Sequence, residues 1–88
     1  KRANVVVVNP THVAVALEYQ RETMNAPVVV AKGAELMAAR IRQIAEQEGV
    51  PIVRDVPLAR ALYDLEIDEE IPEELYEAVA IVLHWVSQ

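Results

Sequence analysis

Val5-Val6-Val7-Val8-Asn9-Pro10-Thr11-His12-Val13-Ala14-Val15-Ala16-Leu17 is the stretch that decides how this chain folds. Four consecutive valines make a continuous run too short for a helix, so Asn4–Val8 reads as a strand. Val13–Tyr19 reads as a second strand. Its residues alternate: Val13, Val15, Leu17 and Tyr19 share one face, and Ala14, Ala16 and Glu18 the other. The small residues of the second face predict a helix packed closely on it. Between the strands lies Asn9-Pro10-Thr11-His12, which has the composition of a tight turn with proline at its first corner.

Working outward, Gln20–Ala26 is polar and aperiodic and reads as a loop. Val28–Ala31 reads as a third strand, with Pro27 tolerated at its start and Gly33 at its end. Ala34–Glu48 is predicted to be an amphipathic helix with Met37, Ile41, Ile44 and Ala45 on its buried stripe. Gly49 and Pro51 stop it. Ile52–Arg54 is a short fourth strand. Asp55 caps a second helix that carries Pro57 in its first turn and buries Leu58, Ala61, Leu62 and Leu65. Pro72 opens a last helix toward Val86, with Leu75, Val79, Val82 and Val86 on one stripe and Ala78, Ile81 and Trp85 widening it. The order β-β-β-α-β-α-α implies an α/β fold: a small mixed four-stranded sheet surrounded by helices. The first two strands are expected to be antiparallel. The third and fourth, separated by a helix, are expected to be a parallel pair with a right-handed crossover.

The 88 residues are one domain's worth of chain, and the chain begins at Lys1 rather than methionine, so it reads as an excised fragment. Net charge is −6, which argues against nucleic acid as the main partner. The acids cluster between Glu66 and Glu77, as a solvated loop followed by an acidic first helical turn, or as a face for a basic partner. There is no cysteine, so disulfides, thiolate chemistry and cysteine-based zinc sites are excluded. The two histidines, His12 and His84, lack ligand spacing, and no metal or cofactor is expected. A conventional hydrolase lacks its nucleophile: the only serine is Ser87, and there is no glycine-rich phosphate loop. No apolar run approaches the ~20 residues that span a bilayer.

The chemistry on offer is at Asn9. Asparagine commonly deamidates when the next backbone nitrogen attacks its side-chain carbonyl. Pro10 has no N–H, so that route is closed. A second route stays open, in which the Asn9 amide nitrogen attacks its own main-chain carbonyl, forms a succinimide and expels Pro10 as an amine. A rigid turn that holds these atoms close accelerates such a step. The His12 imidazole can both accept and donate a proton and is suited to move one, and the Thr11 hydroxyl to hold the turn. On residues alone, plain turn chemistry with an inert His12 fits the same letters.

Asn9-Pro10-Thr11-His12 after a valine run resembles the self-cleaving motif of the FlhB/YscU (SctU) family of type III secretion export-apparatus switch proteins. The resemblance extends through Val13–Leu17, Ala26-Pro27, Ala31-Lys32-Gly33, Val50-Pro51, Pro57–Tyr63, Ile71-Pro72 and His84-Trp85-Val86, and covers essentially the whole chain. It implies a cytoplasmic domain at the inner face of the bacterial inner membrane, with a preceding set of transmembrane helices outside this fragment. It implies a single intramolecular cut between Asn9 and Pro10, with Thr11 and His12 in support, and no enzymatic turnover. It also implies control of the change in exported substrate class, in either a flagellum or an injectisome. The partners implied are other export-apparatus proteins, secreted substrates or their chaperones, and a length-sensing ruler protein. A non-cleaving interaction module of the same apparatus is the alternative.

Overall fold

A computed structural model describes residues 3–87. Its strands are β1 (Val5–Asn9), β2 (Val13–Glu18), β3 (Val28–Ala34) and β4 (Ile52–Arg54). Its helices are α1 (Leu36–Glu48), α2 (Val56–Tyr63) and α3 (Tyr76–Val86), the last entered through a 3₁₀ turn over Glu73–Leu75. The mixed four-stranded sheet expected from the sequence is present. Its pairing differs in one respect. The order is β3-β2-β1-β4, so β3 and β4 occupy opposite edges and are not neighbours. β4 instead runs parallel to β1, with Val6, Val7 and Val8 opposite Ile52, Val53 and Arg54. The physical reason lies in the hairpins. β1-β2 and β2-β3 are both closed by short antiparallel connections, which uses both edges of β2 and leaves the free edge of β1 for the strand that returns through α1.

β1 is therefore central, and all five of its residues are buried. Val5 and Val7 join Val15, Leu17, Leu58, Leu62 and Val79 in a core beneath α2 and α3. Val6 and Val8 join Ala14, Ala16, Ala38 and Ala45 in a second core beneath α1. The alanine face of β2 does receive a closely packed helix. That closeness also explains Gly33, which does not end β3 but lies inside it. A Cβ built there would stand 2.7 Å from the Met37 Cβ and 3.0 Å from the Met37 backbone.

Several boundaries and faces depart from the periodicity. α1 begins at Leu36, two residues later than expected, because β3 continues to Ala34. Its buried positions are Ala38 and Ala45, with Ile41 half-buried, while Met37 and Ile44 are exposed. Small residues win the inner face because the helix sits too near the sheet for large ones. On α3, Val79 and Val82 are buried as expected, but Ile81 and Trp85 face outward, Trp85 at 72% exposure. The wide apolar face thus serves the core on one side only.

Asp55 caps α2 by accepting the Leu58 N–H at 3.2 Å, and Gly49 ends α1 at φ 74. The acidic segment has a structural task through its backbone. Asp68 N–H donates to the Val29 carbonyl, Val29 N–H to the Glu69 carbonyl, and Ile71 N–H to the Pro27 carbonyl. The segment thereby covers the start of the outer edge of β3, a place where an open strand invites aggregation. Among the described residues no helix is long and apolar enough to cross a membrane.

Replacing Gly33 with alanine is expected to lower stability by about 1–3 kcal/mol, the usual range for overpacking. Urea unfolding followed by circular dichroism measures it, and an unchanged midpoint contradicts the packing described.

Candidate functional site

The β1-β2 connection is built from strand ends that leave little freedom. Asn9 is the last residue of β1 and pairs with Val13. The Val8 carbonyl just before it accepts the Asp55 N–H at 3.1 Å, so the end of β1 is tied to the start of α2 as well. By strand alternation Asn9 shares the face of Val5 and Val7, under α2. It is 7% exposed and the only buried polar residue among those described.

The turn itself is closed by the His12 N–H, which donates to the Asn9 carbonyl at 2.9 Å. Thr11 stands at φ 69. Proline at the first corner and a positive φ at the second are the signature of a type II turn, whose second corner favours glycine. A β-branched residue there is a genuine conformational outlier that stores strain. The sequence reading named all four residues, and the structure brings all four into one hydrogen-bonded turn.

The chemical consequence concerns one carbonyl. The Asn9 main-chain oxygen is the atom that gains negative charge when any nucleophile adds to that carbonyl. A fixed backbone N–H already points at it, which is the geometry of an oxyanion-stabilising donor. The opposing feature is exposure. The His12 side chain is 60% exposed and open to solvent protons.

Two further groups sit here that the sequence did not place beside the turn. Glu35, between β3 and α1, donates its N–H to the His12 carbonyl at 2.8 Å. Its Oε2 lies 3.7 Å from His12 Nδ1. Asp55 supplies the backbone tie already described. Neither placement is visible in local composition: Asp55 is set by β4 pairing with β1, and Glu35 by a β2-β3 register, Ala34 opposite Val13, that depends on a bulge. Between Ala16 and Leu17 the pairing skips one residue of β3, Val30.

Other residues weighed from sequence lie elsewhere. Lys32 does not approach the turn. Its Nζ donates to the Tyr63 carbonyl at 2.9 Å and lies 5.0 Å from the Tyr63 ring centroid, which anchors β3 to the end of α2. Glu18 is at the far end of β2 from the turn. His84 is on α3, exposed. No cluster of metal-ligating side chains exists among the described residues.

Residues 1–86 match the model of the FlhB HrpN YscU SpaS family. The chain is 56% identical to the flagellar biosynthetic protein FlhB of Salmonella typhimurium over 88 residues, covering 99% of this chain and 23% of that protein. It is 47% identical to the Yop proteins translocation protein U of Yersinia pestis over 89 residues, covering 100% of this chain and 25% of that protein. The crystal structure of the cytoplasmic domain of FlhB from Shewanella putrefaciens superposes with a TM-score of 0.94 at 45% identity, covering 99% of this chain and 67% of that one. The chain thus spans about a quarter of the length of these two full-length relatives.

The strain at Thr11 has a direct readout. In an Asn9→Ala background, Thr11→Gly is expected to raise stability by about 1 kcal/mol as the positive φ is relieved. Urea titration of the two variants checks it, and a loss of stability contradicts the strained turn.

Proposed function

The chain belongs to the FlhB HrpN YscU SpaS family, and on that premise we propose that it is the self-cleaving cytoplasmic domain of a type III secretion export-apparatus protein, held at the inner face of the bacterial inner membrane. The cut falls between Asn9 and Pro10 and controls which class of protein is exported. The observation that carries this reading is the His12 N–H on the Asn9 carbonyl, inside a strained turn whose asparagine is buried.

The step balances within the chain. A bond forms between Asn9 Nδ2 and the Asn9 main-chain carbonyl carbon. The bond from that carbon to Pro10 N breaks. One proton leaves Nδ2 and one arrives at Pro10 N, so no water is consumed and the new C-terminus is a succinimide. Each group has a task. Asn9 supplies nucleophile and electrophile. Pro10 is the leaving amine and, lacking an N–H, closes the competing deamidation route. Thr11 keeps the turn under strain that scission releases. The His12 backbone stabilises the addition intermediate, and its imidazole moves the proton. The event happens once per molecule, so the domain is a switch and not an enzyme that turns over.

Both fragments are expected to stay together. Each buried valine of β1 contributes roughly 1.5–3 kcal/mol, and β1 is paired on both edges. The cut therefore changes a turn and adds one charged end, the freed Pro10 amine, without unfolding the domain. The altered turn, and the apolar residues exposed on α3, are surfaces available to other export-apparatus proteins, to secreted substrates or their chaperones, and to a length-sensing protein.

Intact mass measurement of purified protein tests the cut. The native sequence is expected to yield residues 1–9 and 10–88, with the smaller piece lighter by one water than a hydrolytic product. Asn9→Ala is expected to remain one chain, and the two native fragments to co-elute in size-exclusion chromatography without denaturant. An uncut native chain after long incubation at neutral or mildly alkaline pH leaves the inert interaction module as the correct account.

A further inference from the structure

Glu35 is an anomaly that the fold alone does not require. It sits at φ 54, ψ −118, a region that the Cβ of an L-residue makes costly and that glycine occupies freely. Glutamate at the start of a helix ordinarily earns its place by capping, yet this side chain makes no capping hydrogen bond to α1. Its backbone does make a bond, from N–H to the His12 carbonyl at 2.8 Å, but glycine would make the same bond without strain. What glutamate adds is a carboxylate, and Oε2 lies 3.7 Å from His12 Nδ1. The gap exceeds a hydrogen bond. Both side chains are exposed, at 60% and 73%, and free to close it by a small rotation.

We propose that Glu35 is a positioning residue for His12 in scission at Asn9-Pro10, an inference that rests on the self-cleavage reading above. The carboxylate accepts from Nδ1–H, which keeps the imidazole proton on Nδ1 and leaves the Nε2 lone pair open. Nε2 takes the proton that leaves Asn9 Nδ2 and returns one to Pro10 N as the carbon–nitrogen bond breaks. Glu35 stays a carboxylate throughout and touches no reacting atom. The strained backbone at Glu35 is the cost of placing a carboxylate, which glycine cannot carry, beside the turn.

Two substitutions separate the carboxylate from the backbone. Glu35→Ala keeps the strain and removes the carboxylate. Glu35→Gly removes both and folds at least as readily. The decay of intact chain after refolding, followed by mass spectrometry, is expected to slow by about two- to fivefold in both, the rate equivalent of an exposed ion pair. In an uncuttable Asn9→Ala background, nitrogen-15 NMR of His12 is expected to show less of the Nδ1–H tautomer once Glu35→Ala is added. A native chain that cuts, with Glu35→Ala cutting equally fast or with only Glu35→Gly slowed, overturns this role and leaves self-cleavage standing. A native chain that never cuts removes the self-cleavage reading and this role with it.

Discussion

The constraint on which the molecule depends is the enclosure of β1. This strand has a partner on each edge and a hydrophobic core on each face. Four valines in succession satisfy both cores at once, which an alternating strand does not do. The consequence is felt at its C-terminal end. A strand clamped in this way cannot relax its last residue, so Asn9 inherits the rigidity of the sheet. The turn that follows is closed at Asn9 and His12 and gripped from outside by the Glu35 N–H. A carbonyl that would sample many orientations in a peptide is held in one, with a donor on its oxygen. Preorganisation of this kind is what an intramolecular reaction needs, since the reacting groups are already on one residue and only their orientation must be restricted.

Much of this was legible in the letters. The valine run specified a strand, the Ala14/Ala16 face specified a close helix, and Asp55 and Gly49 marked helix ends, all because each rests on local sterics or a single hydrogen bond. The turn was legible for the same reason, since proline restricts its own φ and its neighbour's. What failed was non-local. The position of β4 beside β1 depends on which sheet edge is free after two hairpins form, and no property of Ile52–Arg54 announces it. The stripe on α1 was misread because periodicity ranks Met37 and Ile44 above Ala38, whereas the distance between helix and sheet selects the smaller residue. Ile81 and Trp85 widen the apolar stripe of α3 in the sequence yet face outward, because apolarity alone does not tell a buried face from an exposed one. Glu35 was invisible because its neighbour His12 is brought to it by a bulged register.

The acidic segment shows how one stretch can satisfy two demands. Its backbone pairs with the start of the outer edge of β3, and its acidic side chains remain in water. Negative charge along that rim also opposes edge-to-edge pairing with other copies. The domain therefore stores strain at one end of its sheet, at Thr11 and Glu35. Local strain of that kind persists only where the surroundings over-determine it, and here the surroundings are the two cores and the edge partners of β1.

If the folded sheet is what makes Asn9 reactive, cleavage must follow folding. The direct measurement is the rate at which intact chain disappears in concentrated urea and after dilution into native buffer, read by denaturing gel and intact mass. The account predicts that the chain persists while unfolded and splits at Asn9-Pro10 once β1 is seated. Equal rates in the two conditions would place the reactivity in the tetrapeptide alone and contradict the role assigned to the fold.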